Sequence, residues 1–451
     1  MNKRIVILGA GESGIGAALL AHKMGHEVFV SDAGNISEER KALLQKADIS
    51  FEEGQHSTNL ILNAAEVIKS PGIPEKTKIV KLLKEAGIPI IDELEFGFRY
   101  SKGKILAITG TNGKTTTTLL TYHLMKTAGL DVGLAGNVGQ SWAMQLTERD
   151  HEWWVLEVSS FQIDGFRTFK PFVAILTNIT PDHLDRYGYY FYNYIHAKLN
   201  LLANMDEEDH LIYYADDHNI QQGLEDLEPN IQMHGVSLKE KTDTFSHDAG
   251  DRLVLGNAGK GISLPKESIV LKGAHNMINV MCAAQAALLA GVSEVDLLIG
   301  LGNFENAPHR MEVVEEANGV TFINDSKGTN VDATSYALEA YSQPILWIAG
   351  GVDKGNNYEK LMASIAGKVK ALICLGKDNE KLKKAFEGRI PLIMETQVLQ
   401  EAVEWAWNQA KPGDLVLLSP ACASFDLFKN YEDRGDQFKK AVRRILNVKA
   451  K

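Results

Sequence analysis

Short apolar runs rich in β-branched residues recur along the chain, and most end in glycine or small polar residues. A first series contains Arg4–Leu8, Glu27–Val30, Val67–Lys69 and Ile88–Ile91. A second contains Ile105–Thr109, Trp153–Val158, Val173–Thr177 and Leu211–Tyr214, and a third Val320–Ile323, Ile345–Ala349, Ala371–Cys374 and Leu415–Leu418. Helical patterns such as Gly16–Lys23, Lys76–Glu85 and Thr117–Ala128 lie between them. Strands alternating with helices predict parallel sheets covered on both faces. The three fresh starts place domain boundaries near 95 and 305, giving 1–95, 96–305 and 306–451. The stretch 215–272, rich in Gly, Asp and Lys, reads as loops and short strands at the edge of the middle domain. The expected class is α/β with three domains.

At 451 residues the chain is long enough for about three domains, each with its own core. Its 47 basic and 58 acidic residues give a net charge of −11, which argues against non-specific nucleic-acid or anionic-membrane binding. Cys282, Cys374 and Cys422 are scattered in no metal-binding spacing and read as reduced thiols. No apolar run approaches the ~18 residues of a membrane span. Ile5–Leu8 is too short for a secretion signal. A cytoplasmic protein is expected.

The segment Gly110-Thr111-Asn112-Gly113-Lys114-Thr115-Thr116, directly after an apolar run and before a helical pattern, is laid out as a phosphate-binding loop. Glycines let backbone N–H groups close on phosphate oxygens, and the helix N-terminus adds its positive end. Lys114 supplies charge, and Thr115 a hydroxyl suited to Mg²⁺. The general spacing would need glycine where Ile108 stands, so the loop is a compact variant that points to ATP.

Gly9-Ala10-Gly11-Glu12-Ser13-Gly14 also follows a strand, with Asp32 ending the next one. This G-x-G-x-x-G suits a dinucleotide, the diphosphate of a nucleotide-linked substrate, or a structural turn. Ser70-Pro71-Gly72-Ile73 alone reads as a turn. Glu157 ends a strand near the phosphate loop, where Mg²⁺ ligands are found. Asn178 to Tyr187, with His183, gathers polar groups at the same sheet edge. Lys198 lies on a helical pattern, and position alone makes it a surface lysine. Asn276 and Asn279 are one turn apart and suit either a helix cap or an adenine edge. Three strand ends carry Asn324–Asn330, Gly350–Gly355 and Ser419–Asp426, with Pro308–Glu312 upstream. Cys422 has no histidine partner in evidence, which argues against a nucleophile.

Together these segments resemble the Mur ligases, ATP-dependent amide-forming enzymes of peptidoglycan precursor synthesis. The resemblance spans essentially the whole chain. It rests on Gly110–Thr115 combined with Asn324–Lys327, and more narrowly on Ser70–Ile73, His183–Tyr187 and Leu418–Ser424. The short first domain and the absence of an Asp-Asn-Pro-Arg motif match the branch that adds D-glutamate rather than a diamino acid. The fold implied is a Rossmann-like first domain, a P-loop-type ATPase middle domain and a Rossmann-like last domain. The implied substrates are UDP-N-acetylmuramoyl-L-alanine and D-glutamate, with ATP and two Mg²⁺ ions, in a monomer.

By the same resemblance, Gly11, Glu12, Ser13 and Asp32 would lie near UDP, and Ser70, Pro71 and Gly72 beside the diphosphate and sugar. Asn137 and Ser159 would contact the muramoyl-alanine end. ATP would be held by Gly110 to Thr116, with Asn276 and Asn279 near adenine and Arg310 and Asp325 reaching the nucleotide. Thr115 and Glu157 would serve one Mg²⁺, and His183 and a carbamylated Lys198 the second. Lys114, His183, Lys198 and Lys327 are the implied catalytic set. Lys327, Thr329, Lys354, Ser424, Phe425 and Tyr431 would form the amino-acid pocket. Relatives often carry Thr-Arg after the aspartate, whereas Ala33-Gly34 follows Asp32 here, so the uracil contacts do not carry over directly.

The implied chemistry fits the residue types. A carboxylate accepts an amine only after activation, here as an acyl phosphate, and lysine and Mg²⁺ offset the repulsion between two anions. Alternatives are a sibling ligase, a folylpolyglutamate synthetase-like enzyme and, in another class, an NAD-dependent oxidoreductase using Gly9–Gly14.

Overall fold

The structure, a computed structural model, describes residues 3–239, 246–256, 261–353 and 355–449. Three sheets follow one another along the chain. The first contains β1 (Arg4–Leu8), β2 (Glu27–Ser31), β3 (Ser50–Glu52), β4 (Glu66–Lys69) and β5 (Ile90–Ile91). Its order is β3-β2-β1-β4-β5, parallel throughout. Such strands are covered on both faces and read as continuous apolar runs, as Ile5–Leu8 does.

The second sheet contains β6 (Lys104–Thr109), β7 (Val132–Gly136), β8 (Trp153–Glu157), β9 (Val173–Leu176), β10 (His210–Tyr214), β11 (Gln232–Ser237), β12 (Ser246–Asp248), β13 (Arg252–Leu255) and β14 (Ile262–Pro265). Its order is β14-β13-β12-β11-β10-β9-β6-β8-β7, parallel except at β12–β13 and β13–β14. The expectation for 215–272 holds for its short strands, but a helix, His218–Leu227, also lies there. Asp217 caps it by accepting the N–H groups of Asn219 and Ile220. The polar residues that suggested a loop are its solvent face.

The third sheet contains β15 (Glu312–Ala317), β16 (Val320–Asn324), β17 (Ile345–Ala349), β18 (Val369–Leu375), β19 (Leu392–Thr396) and β20 (Leu415–Leu418). Its order is β15-β16-β20-β17-β18-β19, and β15 alone runs antiparallel to its neighbour.

By compactness the chain divides into two units, one of residues 1–271 with 277–304, the other of 272–276 with 305–451. The first two sheets share the first unit. The helices Glu12–Lys23 and Trp142–Glu148 pack on each other there, and Ile5, Ile7, Trp142 and Trp154 belong to one continuous core. The helix Glu93–Phe98 connects the two sheets. Among the described residues no helix is long and apolar enough to cross a membrane.

Candidate active site

In each sheet three adjacent strands deliver the motifs singled out in the sequence. In the second these are β8, β6 and β9, whose C-terminal ends carry Glu157, the phosphate loop and Asn178. That edge is where open α/β sheets bind ligands. Gly110 adopts φ +147° and Gly113 φ +86°, backbone that L side chains rarely take. A Cβ on Gly110 would overlap Thr177 Oγ1, and one on Gly113 would overlap Asn279 Oδ1.

The neighbouring strand end fixes the loop. Thr111 N–H donates to Asn178 O at 2.8 Å, and Asn112 N–H to Asn178 Oδ1 at 2.9 Å. Thr177 Oγ1 donates to Asn112 O at 2.6 Å, and Thr111 Oγ1 to Thr180 O at 3.0 Å. Thr115 and Thr116 are buried in the first turn of the helix Lys114–Thr127.

Lys114 Nζ donates to Gly110 O and Thr111 O, each at 2.9 Å, so its charge lies along the loop. Lys198 Nζ donates to the same Gly110 O at 2.8 Å. The expectation of a surface lysine fails: Lys198 is 1% exposed, on the inward face of the helix Phe191–Leu199 and over the Tyr194 ring. Burial, helped by the Lys114 charge, holds its ammonium well below the ordinary lysine pKa. Its neutral amine is therefore far more accessible than that of a solvated lysine.

Glu157 is 2% exposed, and its Oε1 accepts from Asn137 Nδ2 at 2.7 Å. Oε2 is buried with no hydrogen-bond partner among the described residues. A carboxyl oxygen beside a phosphate loop is the donor type Mg²⁺ takes. His183 sits in left-handed backbone (φ +51°) next to Asp182, with its ring against Phe161. Ser159 N–H and Oγ both donate to Gln162 Oε1, capping a short helix. Asn279 Oδ1 accepts from Thr117 Oγ1 at 3.2 Å, placing Asn279 at the start of the phosphate-loop helix. Tyr194, absent from the sequence-derived set, places its hydroxyl 3.2 Å from Thr111 Oγ1.

In the first sheet the glycine loop after β1 lies between Asp32 after β2 and Ser70 after β4. Asp32 Oδ2 accepts Ala10 N–H at 2.6 Å and Oδ1 accepts Gly34 N–H at 2.7 Å. Its first task is therefore to hold the loop. These residues open onto a cavity of about 600 Å³ that Gly11, Gly72, His56, Thr58 and Lys78 also line. The last three carry no motif, which is why the sequence did not mark them. Arg186 donates to Pro71 O and Gly72 O, both at 3.3 Å, and lies over the Phe161 ring.

In the second unit, β16, β20 and β17 end in Asn324–Lys327, Ser419 and Gly350. Asp325 is buried and accepts from Ser419 Oγ at 2.8 Å, and burial pushes its carboxyl up to about 6. Lys327 Nζ lies 5.3 Å from the Tyr431 ring centre. Thr329 N–H donates to Lys327 O. Ser424 is buried whereas Phe425 is 71% exposed. Arg310 Nε is buried without a hydrogen-bond partner among the described residues, and Asn276 Nδ2 donates to Lys272 O. Lys354 lies outside the described residues.

The sequence missed Arg434. It is buried, and its guanidinium donates to Ser326 Oγ, Ser326 O and Cys422 O, tying two motifs together. One arginine inside the amphipathic pattern of Tyr431–Lys449 gave no signal. Cys422 is buried, and burial pushes its thiol up to about 11, which argues further against a nucleophile.

A phosphate loop, a buried acidic side chain and two lysines on one parallel sheet edge define a nucleotide-using P-loop enzyme. The chain belongs to the Mur ligase family. Residues 4–79 match the MurD N-terminal domain, 108–287 the Mur ligase middle domain, and 309–422 the Mur ligase glutamate ligase domain. It is 46% identical to the UDP-N-acetylmuramoylalanine--D-glutamate ligase of Christiangramia forsetii, covering 99% of this chain and 100% of that one. It is also 46% identical to the protein of that name from Porphyromonas gingivalis, covering 97% and 98%. Among solved structures it is similar to the UDP-N-acetylmuramate-alanine ligase MurC of Thermotoga maritima (TM-score 0.63, 19% identity, 99% and 100% covered). A more distant likeness is to folylpolyglutamate synthase of Mycobacterium tuberculosis (TM-score 0.56, 14% identity, 72% and 89% covered).

Proposed function

We propose that this chain is an ATP-dependent ligase that joins D-glutamate to UDP-N-acetylmuramoyl-L-alanine, acting as a cytoplasmic monomer in peptidoglycan precursor synthesis. The observation that carries the reading is the loop Gly110–Thr116 with Lys114 and Lys198 on one carbonyl beside buried Glu157. The full-length relatives bearing that activity's name support the choice of substrates over those of sibling ligases and of folylpolyglutamate synthase. Hydride transfer would leave the phosphate loop without a task.

In this reading the domains are 1–95, 96–305 and 306–451. The cavity beside Asp32 and Ser70 takes the UDP end, with Gly11, Glu12, Ser13, Pro71 and Gly72, while Asn137 and Ser159 meet the muramoyl-alanine end. Asn276, Asn279, Arg310 and Asp325 serve the nucleotide. Lys327, Thr329, Lys354, Ser424, Phe425 and Tyr431 receive D-glutamate, whose carboxylates call for cationic partners.

The residues fit Mg²⁺ and a modified lysine. Glu157 Oε2 is buried with no hydrogen-bond partner among the described residues, and Lys198 is held toward its neutral amine. Addition of CO₂ to that amine, with loss of a proton, would give Lys198 an anionic oxygen pair. Thr115 and Glu157 would hold one Mg²⁺, and His183 and Lys198 a second. Bound there, the ions would screen the negative charge of the phosphates.

The substrate carboxylate attacks the γ-phosphorus of ATP, and ADP leaves. Lys114 and the loop N–H groups stabilise charge on the transferring phosphoryl group. The D-glutamate amine then attacks the acyl carbon, loses a proton and expels phosphate. Excluding water protects the acyl phosphate from hydrolysis.

The experiment is ADP release in the presence of UDP-N-acetylmuramoyl-L-alanine and a panel of amino acids. Release should require both ATP and D-glutamate, with L-glutamate much poorer. Equal turnover with L-alanine or a diamino acid would reassign the chain to a sibling activity.

A further inference from the structure

The glycine loop of the first sheet and the phosphate site of the second are joined by a short path of hydrogen bonds and the turn 137–141. It starts at Glu157, whose Oε1 accepts Asn137 Nδ2 at 2.7 Å and whose carbonyl accepts Asn137 N–H at 2.8 Å. The turn that follows is closed by Gln145 Nε2, which donates to Leu134 O at 2.8 Å and Gln140 O at 3.1 Å. It leads into Ser141, the N-cap of the helix Trp142–Glu148. Ser141 N–H donates to Glu12 Oε1 at 3.2 Å, and Glu12 opens the helix that follows the glycine loop. The contact is close, since a Cβ on Gly16, one turn further along, would overlap Ser141 Oγ.

Ser141 is itself held by Glu93, a carboxyl that is 3% exposed and lies outside every motif. Glu93 Oε1 accepts Ser141 Oγ at 2.7 Å and Ala143 N–H at 2.7 Å. Burying a carboxyl opposes folding unless its hydrogen bonds offset the cost, and Ser141 Oγ and Ala143 N–H both donate to Glu93 Oε1. We propose that Glu93 is a positioning residue: by gripping Ser141 and Ala143 it holds the glycine loop, through Glu12, in fixed register with the Glu157 end of β8. Substrate bound at the glycine loop then presents its reacting end to the phosphate site at a set distance, and rate is sensitive to errors of about 1 Å in such placement. The inference rests on the ligase reading above.

The test compares Glu93→Ala, Glu93→Gln and Ser141→Ala in the full chain. Glu93→Ala and Ser141→Ala should lower kcat at saturating UDP-N-acetylmuramoyl-L-alanine by about ten- to a hundredfold, the scale of a misplacement of about 1 Å, with KM for ATP within about twofold. Glu93→Gln keeps the accepting oxygen and should restore the wild-type value. Amide exchange separates this claim from the activity. In Ser141→Ala, and in Glu93→Ala if it folds, exchange at residues 10–15 should rise while that at 110–115 stays unchanged. Failure of the wild type to use the UDP substrate would defeat the ligase reading alone. Unchanged exchange at residues 10–15, or a failure of Glu93→Gln to restore kcat, would overturn the positioning role.

Discussion

Lysine residues that are solvated carry their charge at little cost, whereas Lys198 is shut against Gly110 O and the Tyr194 ring. The role proposed for it rests on that burial, because an ammonium there repels Lys114 and any cation brought to Glu157. A carbamate would reverse the sign and supply the oxygen ligands Mg²⁺ prefers. Lys198→Ala should therefore lose most activity, and added short carboxylic acids should restore part of it. Intact mass of the wild type should show the added CO₂, a readout independent of turnover. Near-normal activity of the mutant, or an unmodified Lys198 in a fully active enzyme, would contradict the assignment. The sequence could not make this distinction, since a lysine on a short helix looks the same whichever way the helix is turned. The phosphate loop, by contrast, was legible because its glycines are required by its own backbone: Gly110 and Gly113 both sit at positive φ.

At the scale of elements, strands marked by an apolar run were legible, the edge strand Ile90–Ile91 included, and polar or glycine-rich strands were not. Ser50–Glu52 and Glu312–Ala317 lie at sheet edges and carry charged or exposed residues that break up any apolar run, and in Leu392–Thr396, also at an edge, only Leu392-Ile393-Met394 is apolar. Val132–Gly136 is also an edge strand, and its glycines disguise it. The connecting helix Glu93–Phe98 was likewise unread, as its acidic residues suggest a solvent face. Instead Glu95 is buried and accepts from Arg167 N–H, Thr168 N–H and Oγ1, and Phe169 N–H, while Glu93 holds Ser141 and Ala143.

Burial, with a smaller push from Glu12, raises the Glu93 carboxyl from 4.5 to about 7. The folded state thus binds this proton more tightly than the unfolded chain does. Glu93 favours folding below about pH 4.5 relative to alkaline conditions, and it loses ground as pH rises toward 7. Glu93→Gln removes the titration and keeps the acceptor. Its stability relative to wild type should therefore increase by roughly 2–3 kcal/mol between pH 5 and pH 8 in urea unfolding. A difference that does not change with pH would show that Glu93 does not titrate in this way.

On the scale of the whole molecule, three largely parallel sheets each carry motif loops at three neighbouring strand ends. This repetition was visible in the sequence because every such loop follows an apolar run and is rich in glycine or small polar residues. The clamps behind the loops were not, because Asp32, Tyr194 and Arg434 act across long sequence separations. The division of labour proposed for the sheets requires one bond-making sequence, in which a substrate carboxylate oxygen becomes the bridge of an acyl phosphate. The most direct measurement is the fate of that oxygen. With ¹⁸O in the carboxylate of UDP-N-acetylmuramoyl-L-alanine, the reaction with ATP and D-glutamate should release inorganic phosphate carrying one labelled oxygen, in step with amide formation. Phosphate free of label, or ADP formed without amide, would contradict the account.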